Sequence, residues 1–363
     1  MSSNVRIFGL DLMRSVAILL VCLLHGREFL EVHYPAFPNL WFIDGVDLFF
    51  SLSGFLIGGI FIKIFREKER FTFKDLFNFW IRRWFRTLPN YYLVLVLNIL
   101  LSFYFYRSLD FTYYWKYFFF FQNLYYLDSV SFFGESWSLC VEEWFYLLFP
   151  LVCVGVSLFT KKDLVKAIVF GVIFLILFSI LLRNISVIGM EQMKIFDWVW
   201  KFRSVVIYRL DSIVFGVLGA YLSIYYHKYW YTYRFLWCCI GVLGIFLTVK
   251  YYRLDNNYRM VNFDTITSLS ILGLLPVLSN WKSLGFKWLE RPIVYISKIS
   301  YSMYLVNATL VMRVIEHFLP VTGKGSAVLG YALFWISTIV ISHFLYTYFE
   351  KPTTALRDKF ELS

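Results

Sequence analysis

Apolar runs of about twenty residues recur along this chain, parted by short segments that hold most of its charges, and this alternation limits the possible folds. A run of that length crosses the hydrocarbon core of a bilayer, where the backbone has to satisfy its own hydrogen bonds. The expected fold is therefore an all-α integral membrane protein. Composition agrees: 60% of the 363 residues are hydrophobic, 22% aromatic and 16% charged, against roughly a quarter charged in a soluble domain. A soluble globular fold is excluded.

Reading the apolar runs between charge clusters places ten spans, at 8–29, 44–65, 88–106, 137–159, 164–182, 204–226, 235–250, 262–279, 292–316 and 326–349. No linker rich in Gly, Ser or Pro and no internal repeat divides them, so residues 1–363 are expected to form one transmembrane domain. The first run carries Asp11 and Arg14 and is too long for a signal-peptide core, so it reads as a retained span. Lys and Arg are concentrated before span 1, after spans 2, 4, 6 and 8, and after span 10, which predicts cytoplasmic termini. The same loop bias accounts for much of the net charge of +11 without a nucleic-acid partner. Cys22, Cys140, Cys153, Cys238 and Cys239 lie in or beside apolar runs without metal-ligand spacing, so no metal is expected.

Charge inside a span is costly and points to function unless it snorkels to an interface. Span 1 holds Asp11, Arg14 and His25. Arg14 and His25 are eleven residues apart, which returns them to one helix face after a rise of about 16 Å. Asp11 stands one turn before Arg14 and is expected to pair with it. Carboxylates open two other spans: Asp44 and Asp47 at span 2, Glu142 and Glu143 at span 4. A carboxylate beside an imidazole sets its tautomer and supports a general base; at a helix amino terminus it also simply complements the dipole. Arg82, Arg83 and Arg86 precede span 3, with Arg83 and Arg86 one turn apart. That spacing lets two guanidinium forks meet one phosphate, although a positive-inside signal has the same appearance.

Several segments recur together in an informative order: Gly9-Leu10-Asp11-Leu12-Met13-Arg14 through His25, then Gly45-Val46-Asp47 through Ser53-Gly54-Phe55-Leu56-Ile57. Arg82-Arg83 through Arg86 and Pro89 follow, then Trp137-Ser138-Leu139 with Glu142-Glu143 and Phe145-Tyr146. Arg209 and Asp211 with Gly216, Ser300 through Leu305, and Phe349-Glu350-Lys351-Pro352 complete the set. Together they resemble the acyltransferase-3 family, ten-span membrane enzymes that O-acylate bacterial surface polysaccharides and other acceptors. Relatives often place a His after the Tyr-Leu of the ninth span; Asn307 stands near that point here, so no catalytic role is expected of it. Many relatives also carry a soluble esterase-like domain after the last span, and none is expected here.

The resemblance implies an O-acetyltransferase of the cell inner membrane, using acetyl-CoA or another acyl-CoA from the cytoplasm. It implies an acceptor hydroxyl on a surface polysaccharide or lipid-linked glycan, such as lipopolysaccharide O-antigen, at the outer face. Arg82, Arg83 and Arg86 are then expected to hold the nucleotide phosphates, with Arg14 beside the donor's arm and His25 at the thioester. His25 acts as general base or carries the acyl group itself. Glu143 is the first choice to orient it and Asp47 the second. Ser53 either donates to the oxyanion or permits close helix approach. Tyr113, Tyr114, Trp115, Tyr117 and Phe118 either stack on a glycan or form an interfacial belt. Two rivals remain, a glycolipid flippase without chemistry and a scaffold braced by its charges, and thioester turnover separates both from an enzyme.

Overall fold

The computed structural model describes residues 6–36, 44–67, 72–107, 111–126, 132–159, 163–190, 193–252 and 258–360. Among them the helices run α1 (Phe8–Gly26), α2 (Gly45–Glu67), α3 (Phe73–Tyr106), α4 (Phe111–Phe118), α5 (Ser136–Phe159), α6 (Leu164–Ser186), α7 (Ile195–Trp198) and α8 (Leu210–Tyr225). They continue as α9 (His227–Thr232), α10 (Arg234–Tyr252), α11 (Phe263–Asn280), α12 (Lys287–Val306), α13 (Arg313–Phe318), α14 (Lys324–Leu345) and α15 (Lys351–Ala355). No strand occurs among the described residues.

Eight of these helices, α1, α2, α3, α5, α6, α10, α11 and α14, are long and apolar enough to cross a membrane. The other two expected spans fall on α8, which is apolar but has only 16 residues, and on α12. Glu290, Arg291 and Lys298 lower the hydropathy of α12, which runs through the π-helical turn Asn307–Met312 into α13. Both helices lie against other helices, α8 on α2 and α12 on α1, and so depend less on lipid contact. Outward faces of α6 and α10 present Phe170, Phe174, Leu181, Phe235, Leu243 and Phe246, which suit acyl chains and would be liabilities in water.

The third span differs from expectation. Helix α3 begins at Phe73, not at 88, and its 34 residues extend about 50 Å. Asp75 accepts hydrogen bonds from the Thr72 backbone N–H at 2.9 Å and from its hydroxyl at 2.7 Å, which caps the start. Hydropathy hid this turn because arginines interrupt the apolar run. The arginines therefore sit on a continuous helix rather than in a loop.

Helices α2 and α8 cross in close contact at Gly54 and Gly216. A Cβ at Gly54 would stand 1.9 Å from the Ile213 carbonyl oxygen, and one at Gly216 would stand 2.2 Å from that of Ser51. Small residues let membrane helices approach and gain packing that lipid cannot supply. The crossing also brings Asp47 to the basic residues just before α8. Arg203 donates to Asp44 at 2.8 Å, to Asp47 at 2.7 Å and to Asp264 at 2.8 Å, while Arg209 donates to Asp47 at 2.6 Å and also meets Asp264. A second buried pair joins Arg183 to Asp211 at 2.7 Å. This corrects the expectation for Asp47: its carboxylate is committed to two guanidinium groups and ties α2 to α8 and α11. Nothing places it at His25.

Candidate functional site

A cavity of about 380 Å³ opens between α1, α2, α3, α5 and α12, and the chain after α14 closes one side. Arg14 enters from α1, Ser53 from α2 and Arg82, Arg83 and Arg86 from α3. Lys298 and Arg357 add two more cations, against the carboxylates of Glu142 and Glu350. Arg14, Ser53, Arg82, Arg83, Arg86 and Glu142, all singled out in the sequence, thus share one cavity. His25, Glu143 and Asp47 do not line it.

The cations are held differently. Arg83 donates to the Tyr146 hydroxyl at 2.5 Å, lies 3.4 Å from Glu142, and stacks 4.3 Å above the Tyr146 ring. Tyr146 gives its own proton to Glu142 at 2.8 Å, so the short contact between Ser53 and Tyr146 has Ser53 as donor. The Ser53 hydroxyl proton is therefore committed to Tyr146, which disfavours the oxyanion-donor reading of this residue and leaves the alternative of close helix approach. Arg14 and Arg86, by contrast, form no salt bridge among the described residues. The expected Asp11–Arg14 pair is absent because Asp11 is engaged by Arg6 at 2.8 Å and by the Ser297 hydroxyl at 2.7 Å. Two cations without a salt bridge, with Glu350 their electrostatic neighbour in the same cavity, face a space large enough for a charged ligand, an arrangement suited to phosphate.

His25 occupies the last turn of α1 and is half-buried. Its Nδ1 lies 2.5 Å from the Asn307 Oδ1, at the start of the π-helical turn. Glu143, the residue expected to orient it, instead accepts from the Thr87 hydroxyl at 2.8 Å. It forms part of a second cavity, of about 310 Å³, walled by Trp84, Tyr92, Trp144 and Phe118 to Phe121. The assignment of Glu143 to His25 is corrected accordingly: it is on the α3 face of α5, whereas α1 meets α12.

Glu135 is the acid that sequence reading missed. It is 4% exposed, accepts from the backbone N–H of Thr309 at 3.1 Å and from its hydroxyl, and lies within electrostatic reach of His25. Its one sequence signal is position, a charge directly ahead of Ser136-Trp137-Ser138. Tyr304 separates the two regions: it lines the arginine cavity, and its hydroxyl meets Ser138 at 2.5 Å and the Glu135 carbonyl at 2.7 Å. Of the aromatic residues considered for glycan stacking, Tyr114 and Tyr117 are buried against Phe132, while Trp115 is exposed. Among the described residues no three His, Cys, Asp or Glu side chains are placed to hold a metal ion.

Comparison with known proteins identifies the family. The family described as an acyltransferase domain matches residues 7–347, and the chain belongs to that acyltransferase-3 family. It is similar to the peptidoglycan O-acetyltransferase OatA of Listeria monocytogenes, with 34% identity over 119 residues, covering 29% of this chain and 19% of that protein. A Bacillus subtilis protein provisionally named a peptidoglycan O-acetyltransferase shares 33% identity over 178 residues, 44% of this chain and 26% of the relative. A Staphylococcus aureus protein provisionally named an O-acetyltransferase shares 26% identity over 234 residues, 59% and 34% of the two chains. The matched segments thus span between 19% and 34% of these relatives' own length. No solved structure matches the chain.

Proposed function

We propose that this member of the acyltransferase-3 family moves an acetyl group from cytoplasmic acetyl-CoA to a sugar hydroxyl of a surface glycan at the other face of a bacterial inner membrane. The observation that carries the reading is the arginine cavity, where Arg14 and Arg86 form no salt bridge among the described residues while Arg82 and Arg83 stand beside them. Phosphates of the donor enter there. The termini, Lys74 and the arginine end of α3 are on the cytoplasmic side in this reading, as loop charge implies.

In this reading the donor's pantetheine arm leaves the cavity past Tyr304, which stands between the two regions, and follows α1 toward His25, about 16 Å from Arg14 by helix rise. His25 takes the proton of the attacking hydroxyl as that oxygen bonds to the thioester carbonyl carbon, and the carbon–sulfur bond breaks to release CoA. A positioned base typically contributes about 10² to 10⁴ in rate. Asp47 and Glu143 have other partners and are given no part in the chemistry. The names of the relatives favour peptidoglycan as acceptor, with lipopolysaccharide O-antigen the alternative surface glycan.

The test is turnover. Protein purified into lipid nanodiscs is supplied with acetyl-CoA and either peptidoglycan fragments or O-antigen. Release of free thiol together with an acetyl ester on one glycan supports the reading and selects the acceptor. A protein that binds or moves glycolipid with no thiol release is the flippase instead.

A further inference from the structure

The hydrogen bond between His25 and Asn307 carries more information than its length. Asn307 is fully buried, and its side-chain nitrogen donates to two backbone carbonyls, Met303 at 2.9 Å and Tyr304 at 2.8 Å. Both amide protons are therefore used. A flipped amide would set its oxygen against those two carbonyl oxygens and aim its protons at His25, so the surroundings decide the orientation. The Oδ1 that faces His25 can only accept.

We infer that Asn307 is a positioning residue that fixes the tautomer of neutral His25, holding the proton on Nδ1 and leaving the lone pair on Nε2. A neutral imidazole has one N–H and one bare nitrogen, and at 2.5 Å from an oxygen that only accepts, Nδ1 must be the donor. The proton of an attacking hydroxyl is then collected at Nε2 and later passed to the departing thiolate. The opposite tautomer would set two lone pairs against each other and aim an N–H at the substrate. The π-helical turn beginning at Asn307 supports this geometry, because the wider turn aims Asn307 back at Met303 and Tyr304 while directing Thr309 to Glu135.

This inference rests on the proposed role of His25, and the experiment separates the two. Protein labelled with ¹⁵N-histidine is examined by magic-angle-spinning NMR in lipid, with the His25 signals assigned by their loss in His25→Gln. The expected spectrum has a protonated Nδ1 and a bare Nε2 for the neutral ring. The reverse tautomer overturns the inference even when His25→Ala is inactive. If His25→Ala stays active while the tautomer is as stated, it is the base role that falls. Asn307→Leu should let the Nε2–H form appear and lower kcat about 10²-fold, the low end of a base's contribution, with KM for acetyl-CoA unchanged. Asn307→Asp retains an accepting oxygen toward His25 and should keep Nδ1 protonated, with a lower Tm because its second oxygen replaces the donor to the Met303 and Tyr304 carbonyls. An unchanged tautomer in Asn307→Leu refutes the assignment to Asn307.

Discussion

Replacing Arg14 with Met should make the empty protein more stable and the donor-bound protein less so. Arg14 lines the cavity without a salt bridge, and the like charges of Arg86, Arg6 and Arg83 act on it against the attraction of Asp11 and Glu350. Removing a partly buried cation that makes no salt bridge relieves desolvation and like-charge repulsion, while Met keeps much of the apolar stem. The donor loses a charge-assisted hydrogen bond worth about 1.5–3 kcal/mol, so its Kd should rise roughly 10- to 150-fold. Thermal unfolding in detergent with and without CoA measures both effects. At a CoA concentration about 100 times the Kd of the unaltered protein, ligand stabilisation is about 2.7 kcal/mol. After a 100-fold loss of affinity the same concentration supplies only about 0.4 kcal/mol, so most of the CoA-dependent rise in Tm should vanish. An Arg14→Met protein with an undiminished CoA shift would refute the reading of the cavity as a phosphate site. A fall in the ligand-free Tm would show that Arg14 braces the bundle.

Three further outcomes follow from the same geometry. His25→Ala and His25→Gln should both abolish acetyl transfer with the protein still folded, measured as ester-linked acetate on the glycan; near-normal acetylation by either variant removes His25 from the chemistry. Asp264→Asn should destabilise the bundle by about 3–5 kcal/mol, because Arg203 and Arg209 each lose a buried partner, and a Tm within a degree of the parent would show that this network bears no weight. A single Cys at Lys74 should react with a membrane-impermeant thiol reagent only from the cytoplasm and one at Glu31 only from outside; reaction of both from one side overturns the orientation. The background for that experiment needs only Cys238 and Cys239 replaced, since Cys22, Cys140 and Cys153 are buried.

The all-α membrane bundle and eight of its ten expected spans were readable from the sequence, because a long apolar run has few other uses than to cross a bilayer. The start of α3 was not. Its arginines break the hydropathy signal, yet they face an internal cavity, and hydropathy averages over all faces of a helix. The Arg14, Ser53, Arg82, Arg83 and Arg86 grouping was recognisable in part, since residues on one helix keep their spacing whatever surrounds them.

Sequence by itself determined the membrane bundle, the charges worth attention and the shared face of Arg14 and His25, all consequences of local periodicity and of the cost of charge in lipid. Tertiary structure alone decided which charge meets which. Asp11 turns to Arg6, Asp47 to Arg203 and Arg209, Glu143 to Thr87, and His25 to Asn307, the one position from which no catalytic part was expected. A carboxylate near a helix end has several cations and donors within its range in sequence. Only the packing of α2 against α8, and of α1 against α12, settles which partner comes within the roughly 3 Å that a hydrogen bond requires.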